Sequence, residues 1–550
     1  MSRVYPVLAT LLVVTVPLPA QEEADESRRE PAVDPRIDID RERGEIRFAC
    51  RFVNPSRVLE VFGCHETGPS HETVVEFSAR GPEIYDALLA IGCRNASWWN
   101  GASPDDFDRN QGDRLIVLVR WESGGTTREH AAEDMLTDGE TGFPAFIRGF
   151  SFGARTPAAG KGIPRAVEIT LGGTNRQRAV YSVLAHPTSL PRLRRWMLPP
   201  YLDTRVVTDH RELIEKGAPA TLIIRKVKSE EELLEFAREA ARRRGLDERA
   251  ALHDKLLPIA REIDRLKAEY EKLLGEMRSL LASPVETAGE PEKKERARSG
   301  YALLARGRSL CARIQERYLA LYTLEEAHKA GWIEQAKDIP EEERSWALLF
   351  ARGCFPFEAR IAAREVELAE LQAGSAAEES LTPADRRVLE QAIGKDIEAL
   401  DLERLRLIKE FEREDARRRA KELDPDDAYT RRLFEEDILR ARSAIAAADA
   451  NARLAALAAR ELRAMLRPES EEDRKSRLLE TEAARKALAL AELEGKLVDV
   501  LEETRWSEGD AEGPDPERKT KARANLEELR KKKAELEEEI RKAKLLPLSR

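Results

Sequence analysis

Ile223-Ile224-Arg225-Lys226-Val227-Lys228-Ser229-Glu230-Glu231-Glu232-Leu233-Leu234-Glu235-Phe236-Ala237 is the stretch that decides the fold, because the residue pattern changes at Ser229. Upstream, Gly, Pro, Trp and β-prone residues dominate; downstream, Ala, Leu, Glu, Arg and Lys recur at heptad spacing. Ser229 and Glu232 form a capping-box pair, in which each side chain satisfies a backbone donor that a helix start leaves orphaned. The chain is therefore expected to join a compact module to a helical scaffold.

Upstream of the junction, short apolar runs with strand character lie between Gly, Pro, Asn and Asp. They are Ile46 to Val53, Val58 to Phe62, Leu115 to Trp121, Ala145 to Phe152, Val167 to Leu171, Ala179 to Leu184 and Thr221 to Ile224. One helix interrupts them, with Pro82 at its start, Ile84, Leu88, Leu89 and Ile91 on one face and Gly92 at its end. This predicts an α+β domain on a mostly antiparallel sheet, over residues 34–228.

Downstream, Leu256, Ile259, Ile263, Leu266, Tyr270, Leu273, Met277 and Leu280 keep an unbroken 3-4 spacing, with Pro258 marking a start or a kink. A second seam runs Phe434, Ile438, Ala441, Ile445, Ala448, Ala452, Ala455, Ala459, Leu462, Leu466, its alanines admitting a close partner helix. Leu479, Ala483, Leu490, Leu493, Leu497 and Val500 form a third, interrupted by Lys486, and Leu526, Leu529, Leu536 and Ile540 a fourth. Thr382-Pro383, Asp424-Pro425 and Pro468 with Ser470 each open a new helix. Helices of roughly 35 to 40 residues, on the order of 55 to 60 Å at 1.5 Å per residue, joined by short breaks predict antiparallel hairpins. The all-α part divides into a helical or coiled-coil region over 229–382, long antiparallel helices over 383–506, a linker over 507–516 and a last helix over 517–550. Ser283 to Arg296 reads as another joint.

Leu59-Glu60-Val61-Phe62-Gly63-Cys64-His65-Glu66-Thr67-Gly68-Pro69-Ser70-His71-Glu72, followed by the helix Ile84 to Gly92, resembles the YdjY-type domain of exported bacterial proteins, planctomycetes among them. Phe146-Ile147-Arg148-Gly149-Phe150-Ser151-Phe152 is similar to the aromatic-Gly-Ser-aromatic stretch of the same family. The family has no firmly established activity. A ferredoxin-like label sometimes attached to it implies iron-sulfur ligation, which usually takes four closely spaced cysteines; this module has Cys50, Cys64 and Cys93, far apart.

Cys64, His65, Glu66, His71 and Glu72 concentrate a thiol, two imidazoles and carboxylates within nine residues. Such a set can hold zinc or copper through Cys64, His65, His71 and Glu72, although the spacing matches no standard zinc loop; the competing reading is that His71 and Glu72 hydrogen-bond a loop. Asp105 to Asp113 has alternating oxygen ligands from Asp106, but its glycine comes one position late for a calcium loop, so an acidic turn is expected. Trp98 and Trp99 offer a binding platform or core. Asn95-Ala96-Ser97 matches the glycosylation pattern. Five cysteines match no disulfide framework; a hairpin turning at Asn54 to Arg57 would keep Cys50 and Cys64 from pairing directly, which leaves room for one unassigned bridge, and most of the five are expected to be structural thiols.

Arg3, the apolar run Val7 to Val16 and Pro17-Leu18-Pro19-Ala20 read as a signal peptide over 1–20, followed by an acidic linker over 21–33. The mature chain is then exported, periplasmic or extracellular, with no transmembrane segment. A net charge of −10 argues against a nucleic-acid partner, and the basic runs Arg242 to Arg244, Arg417 to Arg419 and Lys531 to Lys533 lie among acids, as solvated helix faces do. No phosphate loop or nucleophile elbow appears. The expectation is an exported structural or interaction protein, a YdjY-like module on a coiled-coil scaffold with a protein partner or self-association through its helices. The alternative is a metal-binding or redox module using Cys64, His65 and His71. An envelope hydrolase ranks last.

Overall fold

The computed structural model describes residues 36–53, 61–66, 73–94, 113–138, 142–152, 167–170, 181–185, 206–208, 215–282, 290–336, 348–373, 381–423, 427–467, 469–513 and 515–545, with Ile339 and Arg344. The N-terminal part is a mixed sheet with one helix, and long helices follow, as the composition break requires. The strands are β1 (Ile37–Asp40), β2 (Glu45–Phe52), β3 (Val61–His65), β4 (Val75–Phe77), β5 (Arg114–Ser123), β6 (Thr126–Ala131), β7 (Leu136–Asp138), β8 (Phe150–Phe152), β9 (Val167–Thr170), β10 (Tyr181–Ala185), β11 (Val206–Thr208) and β12 (Pro219–Lys226).

Ten of these form one sheet in the order β1-β2-β12-β5-β8-β10-β9-β3-β4, with β6 on β5 and a further β2–β4 pairing. That last pairing returns the path to β2, so all but β1 and β6 close into a ring, a device that leaves no bare edge among them. One edge of β2 serves two neighbours: Ile46 and Phe48 pair with β1, while Cys50 and Phe52 pair with β4. Most pairings are antiparallel; β3–β4 and β9–β10 are parallel. The hairpin between β2 and β3 does not form, because β4 lies between them, setting Cys50 opposite Phe77 and Cys64 opposite Glu76.

Alternation along the strands sorts the two faces. Phe48 and Phe52 of β2, Leu115, Val117, Val119 and Trp121 of β5, Leu222 and Ile224 of β12, Phe62, Phe77, Phe150 and Phe152 fill the interior. Helix α1 (Gly81–Ala90) adds Ile84 and Leu88 to the same core. It begins where the Glu83 carboxylate accepts the Arg80 N–H at 2.8 Å, and stops at Gly92, whose φ of 77° needs a residue without Cβ. Of the expected strand Ala145 to Phe152 only β8 forms. Gly149, at φ 67°, turns the chain, and Phe143 and Phe146 leave the barrel to join the cores of the helices.

Ile116 and Leu118 of β5 and Ile223 of β12 face outward and are covered by α2 (Glu230–Arg243) through Leu233, Ala237 and Ala240. Ser229 caps α2, accepting the Glu232 N–H at 3.0 Å, while the Glu232 carboxylate accepts the Lys228 N–H at 2.8 Å. Three residues thus carry the chain from a central strand of the ring to a helix lying on it. Helix α3 (Asp247–Ala282) starts well before Pro258, which sits inside it, and pairs with α4 (Glu290–Gln335), whose first turns take up half of the expected joint.

A π-helical turn (Leu349–Cys354) leads to α5 (Phe355–Ala373), then α6 (Pro383–Glu422), α7 (Ala428–Leu466), α8 (Glu471–Glu512) and α9 (Pro516–Leu545). Thr382, Asp427 and Ser470 cap α6, α7 and α8. From α6 onward each helix packs on the next. Ala441, Ala448, Ala452, Ala455 and Ala459 are buried, as a close-packed alanine seam requires, and at Gly495 an added Cβ would come within 3.0 Å of Ser443 Oγ on α7. Residues 507–512 are not a joint: they continue α8, where Ser507 is buried and accepts a hydrogen bond from Asn525 of α9 at 2.9 Å. Among the described residues no helix is long and apolar enough to cross a membrane.

Candidate functional site

The densest chemistry lies where the barrel meets α2, α3 and α4. Arg114 opens β5 and Arg148 precedes the Gly149 turn; both are buried, at 7% and 9% exposure, where an unpaired cation would be prohibitive. Arg148 Nε donates to Glu325 at 2.7 Å and its Nη2 to Glu326 at 3.1 Å, with the guanidinium 4.7 Å from the centre of the Tyr322 ring. Arg114 Nη2 donates to the Tyr322 hydroxyl at 3.2 Å, and its Nε lies 3.6 Å from Glu230. Glu230 Oε1 also accepts the Tyr318 hydroxyl at 2.5 Å and Lys267 at 2.8 Å.

A second layer surrounds these pairs. Asp264 of α3 accepts the N–H groups of Glu230 and Glu231, at 2.8 and 3.0 Å, so one helix caps another. Arg249 donates to the carbonyls of Ala145 and Pro144 at 2.9 and 2.8 Å and lies within 5 Å of the Phe143 and Phe146 ring centres. Gly149 N–H donates to Glu133 at 2.8 Å, and Arg244 pairs with Asp134 at 3.3 Å.

The electrostatics follow from burial and partners. Burial works to raise the Glu230 carboxyl, but Lys267 and Arg114 outweigh it and hold the group down at about 2. Burial raises Glu325, only partly countered by Arg148. Burial, then the charge of Arg244, lowers Arg249 to about 10. His253 of α3 is 1% exposed, with both ring nitrogens lacking a hydrogen-bond partner among the described residues; burial, then Arg249, lowers it to about 4. His253 apart, the acids and bases here are engaged with each other, so the arrangement clamps the barrel to the helices.

The residues singled out from sequence fall elsewhere. Cys64 and His65 are neighbours on β3, and their registers with Glu76 and Phe77 send them to opposite faces of the sheet. His71 and Glu72 lie outside the described residues, as do Asn95, Trp98, Trp99 and the loop 105–112. Asp113, at the end of that loop, accepts the Arg94 N–H at 3.0 Å and pairs with Lys226 at 2.7 Å. Among the described residues no group of three or more His, Cys, Asp or Glu side chains converges on a metal position. The five cysteines form no disulfide with one another, and burial pushes the thiols of Cys50 and Cys93 up to about 12 and that of Cys354 to about 11, so these three are far from the thiolate a soft-metal site or nucleophile uses. Sequence reasoning missed the clamp; the one visible signal was Arg148, the single charged residue within the aromatic-rich Phe146 to Phe152.

Together these features define a class: a small closed β module fused to an extended antiparallel helical region through a buried charged joint. The N-terminal part of this chain carries a YdjY domain, whose family model matches residues 37–155. That match ends between β8 and β9, so the strands that close the ring, β12 among them, come from beyond it. Neither the curated proteins nor the solved structures that were searched gave a match.

Proposed function

We propose that the chain is an exported structural or interaction protein in which the YdjY module recognises a protein outside the cytoplasm and the helical region holds that module in a set position. The observation that supports this reading is the clamp. Arg114 and Arg148 of the module reach Glu230, Tyr322, Glu325 and Glu326 of the helices, joining the two parts through buried charged contacts instead of a flexible linker. A rigid joint suits a display or bracing role, since it transmits orientation and force, whereas hydrolysis needs a free acid or base beside a substrate cavity.

Export is tested by the intact mass of protein recovered from the host's extracytoplasmic fraction. A chain beginning near Gln21 is expected, and one retaining Met1 to Ala20 would overturn export. Recognition is tested by crosslinking the full chain in its own envelope and repeating with Arg114→Met/Arg148→Met. The reading requires a reproducible crosslinked partner that is lost or repositioned in the variant; none in the native chain would overturn it.

A further inference from the structure

Two exposed aromatic side chains stand at one end of the α7–α8 pair. Trp506 of α8 is 62% exposed and Tyr429 of α7 60%. Arg505 lies between them, 5.1 Å from the centre of the Trp506 ring and 5.8 Å from that of Tyr429, and donates to the Tyr429 hydroxyl at 3.3 Å. Its own side chain is buried and held by Glu436, also buried, whose Oε2 accepts Nε at 2.9 Å. A buried ion pair thus positions two rings that are themselves largely bare. Trp, Tyr and Arg are the residue types that dominate protein–protein contacts.

The charges around the rings select what fits them. Glu503 and Asp510 stand three residues before and four after Trp506, on its side of α8. Both are exposed, and neither makes an ion pair among the described residues. The cations nearby are engaged elsewhere: Arg432 with Glu508 at 2.7 Å, Arg440 with Glu502 at 2.6 Å, and Arg505 with Glu436. The helix end adds to the negative surplus. α6, α7 and α9 carry basic residues in their last turns, as the negative end of a helix dipole favours, whereas α8 carries none there and ends on Asp510 and Glu512. Such a break with local preference at exposed positions is expected where a partner supplies the missing charge. We propose that Trp506, with Glu503, Asp510 and Tyr429, is a docking site for a basic segment of a protein partner, one Lys or Arg side chain lying over the open face of the Trp506 ring between the two carboxylates. This contact goes beyond the recognition assigned to the YdjY module, because it sits on the scaffold.

The test is isothermal titration of the mature full chain with a hexa-arginine peptide, and binding in the micromolar range is expected. Trp506→Ala, which changes no charge, should weaken it by about five- to thirtyfold. Glu503→Lys/Asp510→Lys should weaken it further, while Glu471→Lys/Glu472→Lys, the same charge change at the other end of α8, should leave it within about twofold, being many Debye lengths away. All five positions are exposed, so circular dichroism should show unchanged helicity. Absence of binding at about 1 mM peptide would overturn the proposal, as would binding that Trp506→Ala leaves unchanged or that both charge reversals weaken alike. So would Trp506-dependent binding of uncharged chitohexaose in place of the peptide, which would make the rings a sugar platform. None of these outcomes alters the envelope crosslinking that depends on Arg114 and Arg148, so failure of this site is distinguishable from failure of recognition by the module.

Discussion

Replacing Arg148 with Met probes the clamp while keeping most of the side-chain volume. In the native chain Arg148 makes charged contacts at 2.7 and 3.1 Å to Glu325 and Glu326 and lies over the Tyr322 ring. The substitution strands Glu325, only 1% exposed, and breaking a buried pair this way costs about 3 to 5 kcal/mol. Glu325→Gln in the same chain removes the stranded charge and should recover about half of that loss. The sign of the pH dependence follows from burial. It already raises the Glu325 carboxyl with Arg148 present; without Arg148 the folded-state pKa rises further above the unfolded one. The penalty is then absent below the unfolded pKa and grows as pH rises through the window up to the folded pKa, so variant and wild type converge in acid and diverge at neutral pH. Urea unfolding followed by circular dichroism and tryptophan fluorescence reads both effects. A loss within about 0.5 kcal/mol at neutral pH, typical of a surface substitution, would refute the reasoning.

Burial lowers His253 to about 4 from 6.5, so the unfolded chain takes up its proton first, and native stability falls as pH drops through that window by up to about 3 kcal/mol; His253→Phe should flatten that limb of a stability-versus-pH curve. Gly149→Ala places a Cβ 3.0 Å from the Leu115 carbonyl oxygen at φ 67°, and thermal melting should show a loss of about 1 to 3 kcal/mol. A chain cut to the family-matched residues 37–155 lacks β12, the neighbour of both β2 and β5, and should show no cooperative melt; a native-like transition would mean that the ring closes without it. Elemental analysis of the mature protein should find no stoichiometric zinc or copper, and metal that disappears in His71→Ala would restore the ligand reading of Cys64, His65, His71 and Glu72.

Local signals were legible where local chemistry sets the structure. Ser229, Thr382 and Ser470 cap the helices their side chains announce, and the alanine seam of α7 is buried as its spacing implies. The closure of the ring was not legible, because the pairing of Cys50 with Phe77 in β4 instead of with β3 depends on register between distant strands. The clamp was hidden for the same reason: Arg148 and Glu325 are 177 positions apart, and no periodicity links them. Ser507 to Pro516 reads as a joint by composition, yet packing against α9 keeps most of it helical. The Cys64-His65 pair illustrates a different failure, since proximity along a strand separates side chains that proximity in a loop would gather.

Native-state hydrogen exchange resolved by peptide tests the clamp most directly. The backbone amides of β5, residues 115–121, and of α4, residues 318–326, should open with the same free energy in the native chain and lose protection together in Arg148→Met. Were α4 to exchange freely while β5 stayed protected, the barrel and the helices would be separate folding units, and a rigid joint between them would be ruled out.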